Sequence, residues 1–382
     1  MPRPASQVTI PAKADCNEAC RKLPLIPYLI LFGFFAVAAF AAGTRPHGQI
    51  RPAFLVGGLI LILMIGLRND VGGDWPSYGR IFHHIQLGRF SASLTSIDPA
   101  YGIINWVAAQ AGFGVWAVNL VCAMLFTIGL IRLCHDQPNP QLALLVSIPY
   151  LVIVVAMGYT RQAAALGMVM LALSQYSRGD MIRMVISLIV AATFHKSAIV
   201  VLPLFAAASS RDRLLTFLLL ILVGLLAYYQ FFYSGFDRLM ANYIDASRSS
   251  SGAAIRIAMN VLPAAIFLGF SRHFGFDRNQ RRLWMLFSFA SFVALVFLIY
   301  SPSSTAVDRT SLFLIPLQVV VLSRLPIAFG TSSRQSLVVV TGIIAYSLAV
   351  ELIWLNIGDN AHAWIPYRNY IWDWNQSPIG KR

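Results

Sequence analysis

Charged side chains are scarce in this sequence. They make up 12% of its 382 residues, roughly half the share found in a water-soluble domain. A chain with so little charge, 58% hydrophobic and with a mean hydropathy of +0.68, cannot keep its surface in water. Acidic groups are fewest, 15 against 29 basic ones, and only four of those 29 are lysine. Several signatures are missing outright. The sequence has no Gly-x4-Gly-Lys-Ser/Thr, no His-Glu-x2-His and no Gly-x-Ser-x-Gly. Their absence sets aside a nucleotide-driven pump, a zinc peptidase and a serine hydrolase of the common kinds. The four cysteines, Cys16, Cys20, Cys122 and Cys134, offer one C-x3-C without histidine partners, a weak metal signal. They read as structural, and neither a metal nor a cofactor is expected.

The formal net charge of +14 would suit nucleic acid if the cations formed a stripe. Instead the arginines sit at the ends of apolar runs, singly or in small groups. That placement fits membrane topology and anionic head groups, and no nucleic-acid partner is expected.

What is abundant is apolar sequence. Runs long enough to cross a bilayer, about 20 residues each, recur from Leu25 to Asn356. They predict an all-α polytopic membrane protein with about 11–13 transmembrane or re-entrant helices. Residues 1–23 read as a polar, disordered tail. Residues 24–356 form one polytopic membrane domain with an external polar segment at 68–113, and residues 357–382 a polar, aromatic tail. Residues 101–112 are too few to span. Residues 182–209 cross twice, as two short helices meeting at His195, and a further crossing lies near 214–234. The densest basic loop, with Arg272, Arg278, Arg281 and Arg282, belongs in the cytoplasm. Counting from it places Arg68, Asp74, Arg161, His195, Asp308 and Arg309 on the opposite face, together with both chain ends.

The stretch Leu67 to Tyr78 stands out. It follows an apolar run and packs Arg68, Asp70, two glycines, Asp74, Trp75 and Tyr78 into twelve positions. Glycines let the backbone turn sharply there and bring Arg68 and Asp74 towards one point. Such a turn at the mouth of a membrane helix suits a charged head group. Arg161 closes one apolar run and opens the next; alone, it reads equally well as a residue snorkelling to the interface. His195-Lys196-Ser197 interrupts a 28-residue apolar stretch, an expensive place for ionisable groups unless the helix breaks or faces a cavity. The neighbouring lysine disfavours the imidazolium, leaving a neutral ring able to accept a proton. Asp308 and Arg309 are adjacent and so face different partners: Arg309 a phosphate, Asp308 another arginine. Trp364 to Arg368 reads as an interfacial aromatic anchor, with Arg368 free for a head group.

In this order these residues resemble the EpsG/Wzy-type family of polysaccharide polymerases. The resemblance rests on Gly66-Leu67-Arg68 with Val71-Gly72-x-Asp74-x3-Tyr78, on Arg161-Gln162 and on Phe194-His195-Lys196-Ser197-Ala198. Asp308-Arg309 and Trp364-x-Pro366-Tyr367 complete it. It departs from the pattern at Gly73, where the family often has threonine, at Phe313, where an aromatic hydroxyl is common, and in its long amino-terminal tail. The resemblance implies a multi-pass enzyme of the bacterial inner membrane with GT-C-like glycosyltransferase character and its active site on the periplasmic or outer face. It would move a growing glycan from a polyprenyl diphosphate carrier onto a new lipid-linked repeat unit, without a metal. The substrate partners it implies are the polyprenyl-diphosphate-linked oligosaccharide and the lipid bilayer; chain-length regulator and export proteins are the protein partners. In that frame Arg68, Arg161 and Arg309 hold the diphosphate, and Asp74 or His195 takes the acceptor proton. Tyr78, Lys196, Asp308 and Arg368 line the substrate. The competing class is a lipid-linked oligosaccharide flippase or an anion transporter, which would spread its cations through the membrane and show two similar halves.

Overall fold

A computed structural model describes residues 25–42, 52–88, 90–95, 98–209, 221, 252–300, 304–330 and 332–371. The expected amino-terminal tail lies outside these residues, as does all of the expected 214–234 crossing except Ile221. The described chain is helical, in keeping with the all-α membrane reading. Helices α1 (Ile26–Ala42) and α2 (Pro52–Gly66) precede the polar segment, which holds α3 (Trp75–Leu87), a short turn of helix at Phe90–Thr95, and α4 (Pro99–Gln110). Next come α5 (Val115–His135), α6 (Pro140–Ser147) running into a π-helix at Ile148–Ala156, α7 (Thr160–Ser177), and α8 (Met181–Phe194). A 3-10 turn at Lys196–Val201 leads into α9 (Leu202–Ala208). The remainder is α10 (Ala253–Phe270), α11 (Arg278–Tyr300), α12 (Ser304–Ser311), α13 (Pro316–Phe329) and α14 (Ser333–Ile357).

Among the described residues, five segments are long and apolar enough to cross a membrane: Val115–His135, Ala253–Phe274, Arg278–Tyr300, Val307–Phe329 and Ser333–Ile357. Shorter apolar helices pack among them. The π-helical stretch is apolar on every side and every one of its residues is buried, which makes it the centre of the bundle. By contrast α11 turns Phe289, Val293 and Phe297 outward, as a lipid-facing wall does. In a membrane, apolar side chains gain little by leaving lipid, so close backbone approach holds helices together. The crossing of α5 and α7 shows this. A β-carbon added at Gly129 would collide with the Gly167 carbonyl, and one at Gly167 with the backbone of Phe126.

Two features of the expected topology are visible. At 12 residues α4 is too short to span. The apolar stretch around His195 is indeed a hairpin. Its first arm, α8, ends where His195 turns to extended backbone (φ −157°, ψ 119°), and the arm Lys196–Ala208 returns to Ser209, which bonds the Tyr176 side chain near the end of α7. The bundle therefore has two polar ends. One gathers Gly66, Thr160, His195, Arg256 and Trp364. The other holds Asp136, Arg178 and Arg324, with Arg178 paired to Asp136 at 2.5 Å and Arg324 donating to Gln137 and the Phe274 carbonyl at 2.9 and 3.0 Å.

This arrangement predicts a labelling pattern. In a background without Cys16 and Cys20, cysteines at the exposed positions Gly79 and Asn360 should react with an impermeant thiol reagent from one side of the membrane. Cysteine at Asn279 should react only from the other. Reaction of Gly79 and Asn360 from opposite sides would refute the two-ended bundle.

Candidate functional site

The site is built on a turn that the chain fixes from several directions. Asp70 (φ 51°) and Gly72 (φ 108°) both take positive φ, and a β-carbon at Gly72 would meet the Met157 carbonyl. The segment after α14 is stitched to this turn. The Asn69 amide donates to the Arg368 carbonyl at 3.0 Å, Gly72 to Ala363 at 2.8 Å, and Tyr370 to Leu67 at 2.8 Å. Trp364, only 1% exposed, is the keystone. Its indole donates to the Ile153 carbonyl of the π-helix at 2.7 Å, its own carbonyl accepts from Tyr28 Oη at 2.7 Å, and its ring lies against Gly158 and Gly73. The turn is thereby held against the start of α7.

Charges from separate elements meet beside it. Arg161 Nη1 donates to Asp98 Oδ2 at 2.7 Å, and Asp98 also accepts from the Lys196 amide. Asp98 thus ties α4, α7 and the His195 hairpin together. Asp74 stands within the fields of Arg309 and Arg161 and accepts a hydrogen bond from Tyr78 Oη, while Tyr78 Oη accepts the Arg161 amide. Arg309 is solvent-facing, and its carbonyl accepts from Gln162 Nε2, which docks α12 on α7. Behind it Asp308 is held bidentate by Arg256 of α10, at 2.7 Å to each oxygen. Tyr159 lies among Arg256, Asp74, Asp308 and Arg309. The His195 ring is edge-on to Phe313 at 6.4 Å, and its Nδ1 is buried without a hydrogen-bond partner.

These surroundings set the protonation states. Burial raises Asp74 and Asp98 above their ordinary carboxylate values, and the nearby arginines oppose it. Burial, then Arg161, Arg309 and Lys196, lower His195 to about 3, so its ring is neutral at physiological pH. The group of Arg161, Arg309 and Lys196 around two carboxylates and a neutral imidazole is suited to an anion that brings a hydroxyl with it.

Of the residues singled out from sequence, Asp74, Arg161, His195, Lys196, Asp308 and Arg309 come together. Three sit otherwise. Arg68 is only 1% exposed and turns inward: its guanidinium donates to the Ile65 and Val71 carbonyls and, at 2.6 Å, to Thr160 Oγ1. Those donors face backbone and α7, not an open site. Tyr78 is likewise buried, with its hydroxyl held between Asp74 and Arg161. Arg368 is exposed and pairs with exposed Asp70 at 3.4 Å. The aromatic anchor is a further correction: Trp364 and Tyr367 are buried in protein, because the π-helix and the last turn of α2 offer their N–H and O–H groups partners at Ile153 and Met64. Asp98, Tyr159 and Arg256 were missed. Asp98 precedes a proline at a helix start and reads as an ordinary cap, yet its side chain caps nothing.

Among the described residues, no three His, Cys, Asp or Glu side chains gather as metal ligands. A sequence model described as the EpsG family matches residues 53–369, most of the chain. No curated protein and no solved structure matches it.

The keystone role predicts that Trp364→Ala costs about 3–5 kcal/mol through the lost aromatic volume and strands the Ile153 carbonyl. Thermal unfolding of the purified protein should show a large drop in Tm, with Trp364→Phe falling between the two. An unchanged Tm in Trp364→Ala would remove the indole from this role.

Proposed function

The chain belongs to the EpsG family, and from that membership we propose that it is a polysaccharide polymerase of the bacterial inner membrane. It transfers a growing glycan from a polyprenyl diphosphate to the terminal hydroxyl of a new lipid-linked repeat unit on the periplasmic or outer face. The observation that carries this reading is the convergence of Arg161, Arg309 and Lys196 with Asp74 and His195 at one end of the bundle.

In this reading Arg161 and Arg309 bind the diphosphate and stabilise the charge that builds on it as the sugar–phosphate bond breaks. A well-placed donor of this kind contributes roughly 3–4 kcal/mol to the transition state. Lys196, exposed at the rim, adds a third cation as a point charge. Asp74 takes the proton of the attacking hydroxyl. Its carboxylate is kept out of the helix cap and raised by burial, and a stronger base within reach of neutral pH is the better catalyst. His195 is neutral and positions the acceptor through Nδ1. Arg68 acts through others: by holding Thr160 and the turn it fixes the start of α7 and hence Arg161. Tyr78 aims the Asp74 carboxylate, and Arg256 with Asp308 sets the angle of α12 and so of Arg309.

Arg161→Ala should lower polymerisation by about 10²–10³-fold, read as loss of long-chain polymer on a gel with single lipid-linked repeats still present outside. If the repeats themselves fail to reach the outer face, the flippase reading replaces this one.

A second prediction concerns pH. The base must be deprotonated, so activity is present above the Asp74 pKa and lost as pH falls through it. Because burial raises that pKa, the acid limb should lie above the ordinary carboxylate range. His195, at about 3, should add no inflection near neutrality. Asp74→Asn should abolish activity, while the His195→Gln profile should keep the wild-type acid limb at reduced rate. An acid limb near neutral pH that vanishes in His195→Gln would make the histidine the base.

A further inference from the structure

The end of the bundle away from Arg161 has a cavity of its own, of about 180 Å³. It lies where the ends of α5 and α7 meet the first turn of α11 and the later part of α13. Arg178 directly follows α7, which begins beside Arg161, so roughly 25 Å of helix separates the two at 1.5 Å per residue. Arg178 and Arg324 line the cavity together with Asp136, Gln280, Phe276 and Trp284.

The two arginines are not balanced alike. Arg178 Nη2 donates to Asp136 Oδ1 at 2.5 Å, and Ser174 Oγ donates to Oδ2. Each oxygen of that carboxylate therefore has a partner already. Among the described residues Arg324 meets only neutral acceptors: Gln137 Oε1 at 2.9 Å, the Phe274 carbonyl at 3.0 Å and the Asp136 carbonyl at 3.5 Å. The Asp136 carbonyl lies just past α5, and a helix end supplies only about half a unit of negative charge. Arg324 is thus anchored without being neutralised. A guanidinium carries five N–H groups, so donors remain beyond these three bonds. Its plane lies 3.9 Å over the Phe276 ring. The other carboxylates at this end are occupied elsewhere: Asp180 pairs with Arg183 at 3.3 Å, and Asp277 accepts the Asn279 and Gln280 amides. Arg272, Arg278 and Arg282 stand exposed at the same end.

A cavity with a net positive charge, spare guanidinium donors and an amide side chain suits a tetrahedral oxyanion, whose oxygens arginine meets two at a time. We propose that it binds a phosphate group, carried either by a soluble phosphate ester or by an anionic lipid head. The site is distinct from the proposed sugar-transfer centre and stands whatever reaction that centre performs.

The test uses the full chain in lipid nanodiscs, with a fluorinated tryptophan at Trp284 whose fluorine resonance reports on the cavity. In phosphatidylcholine discs, inorganic phosphate should shift the resonance saturably, and chloride at matched ionic strength should not. A shift that appears only in discs containing phosphatidylglycerol would keep the site and assign the phosphate to a lipid. Gln280→Glu adds a carboxylate to the wall, leaves both arginines in place, and should weaken the response by about tenfold or more. Arg324→Gln should abolish it; should that variant not fold, Gln280→Glu alone decides. Arg161→Gln should leave the response intact, and its loss there would assign the phosphate to the other end. That result would overturn the proposal, as would no shift with either source, an equal shift with chloride, or a response unaltered in Gln280→Glu.

Discussion

The Asp98–Arg161 pair is the constraint on which the rest of the site depends. At 2.7 Å, with both side chains largely covered, it stands where an unpaired charge would be costly. Asp98 also accepts the Lys196 amide, so one carboxylate closes three separate elements around a common centre. Asp98 compensates only part of the charge. Arg309, Lys196 and the unpaired side of Arg161 leave the centre cationic, and a cationic centre open at one end of the bundle attracts an anion.

The scaffold beneath this centre is rigid for a physical reason. Bilayer lipid offers no hydrogen bonds, so every backbone group near it must find a partner inside the protein. The turn at residues 67–74 satisfies its amides and carbonyls against the segment after α14, and the π-helix engages Trp364. Gly72, Gly129 and Gly167 allow contacts that a β-carbon would block. The site's arginines divide between two tasks on this scaffold. Arg68 and Arg256 are buried among protein partners and hold elements in place, whereas Arg309 faces outward and Arg161 spans the boundary.

Much of this was legible in the sequence. The excess of apolar runs gave the helical membrane class. The polar break at His195-Lys196-Ser197 gave the hairpin, because ionisable groups inside an apolar stretch require one. Glycines beside Asp74 announced a tight turn. What the residues could not disclose was the direction in which each charge points. Arg68 and Arg161 both follow apolar runs, yet one turns to backbone carbonyls and the other to a carboxylate 63 positions away. Asp98 was hidden by its setting before a proline, and Trp364 by its likeness to an interfacial aromatic. Asp98 and Trp364 have partners distant in sequence, which local pattern does not encode, and Arg68 is drawn to the nearby Ile65 and Val71 carbonyls by a turn whose course depends on distant contacts.

The central claim is that charges far apart in the chain are energetically coupled at one end of the bundle. A double-mutant cycle on Asp98 and Arg161, using Asp98→Asn and Arg161→Gln with thermal and denaturant unfolding as the readout, measures that coupling directly. The pair should be non-additive by about 1 kcal/mol or more, the double variant being more stable than the sum of the single losses predicts. Strict additivity would mean that the two side chains do not meet, and the site described here would not exist.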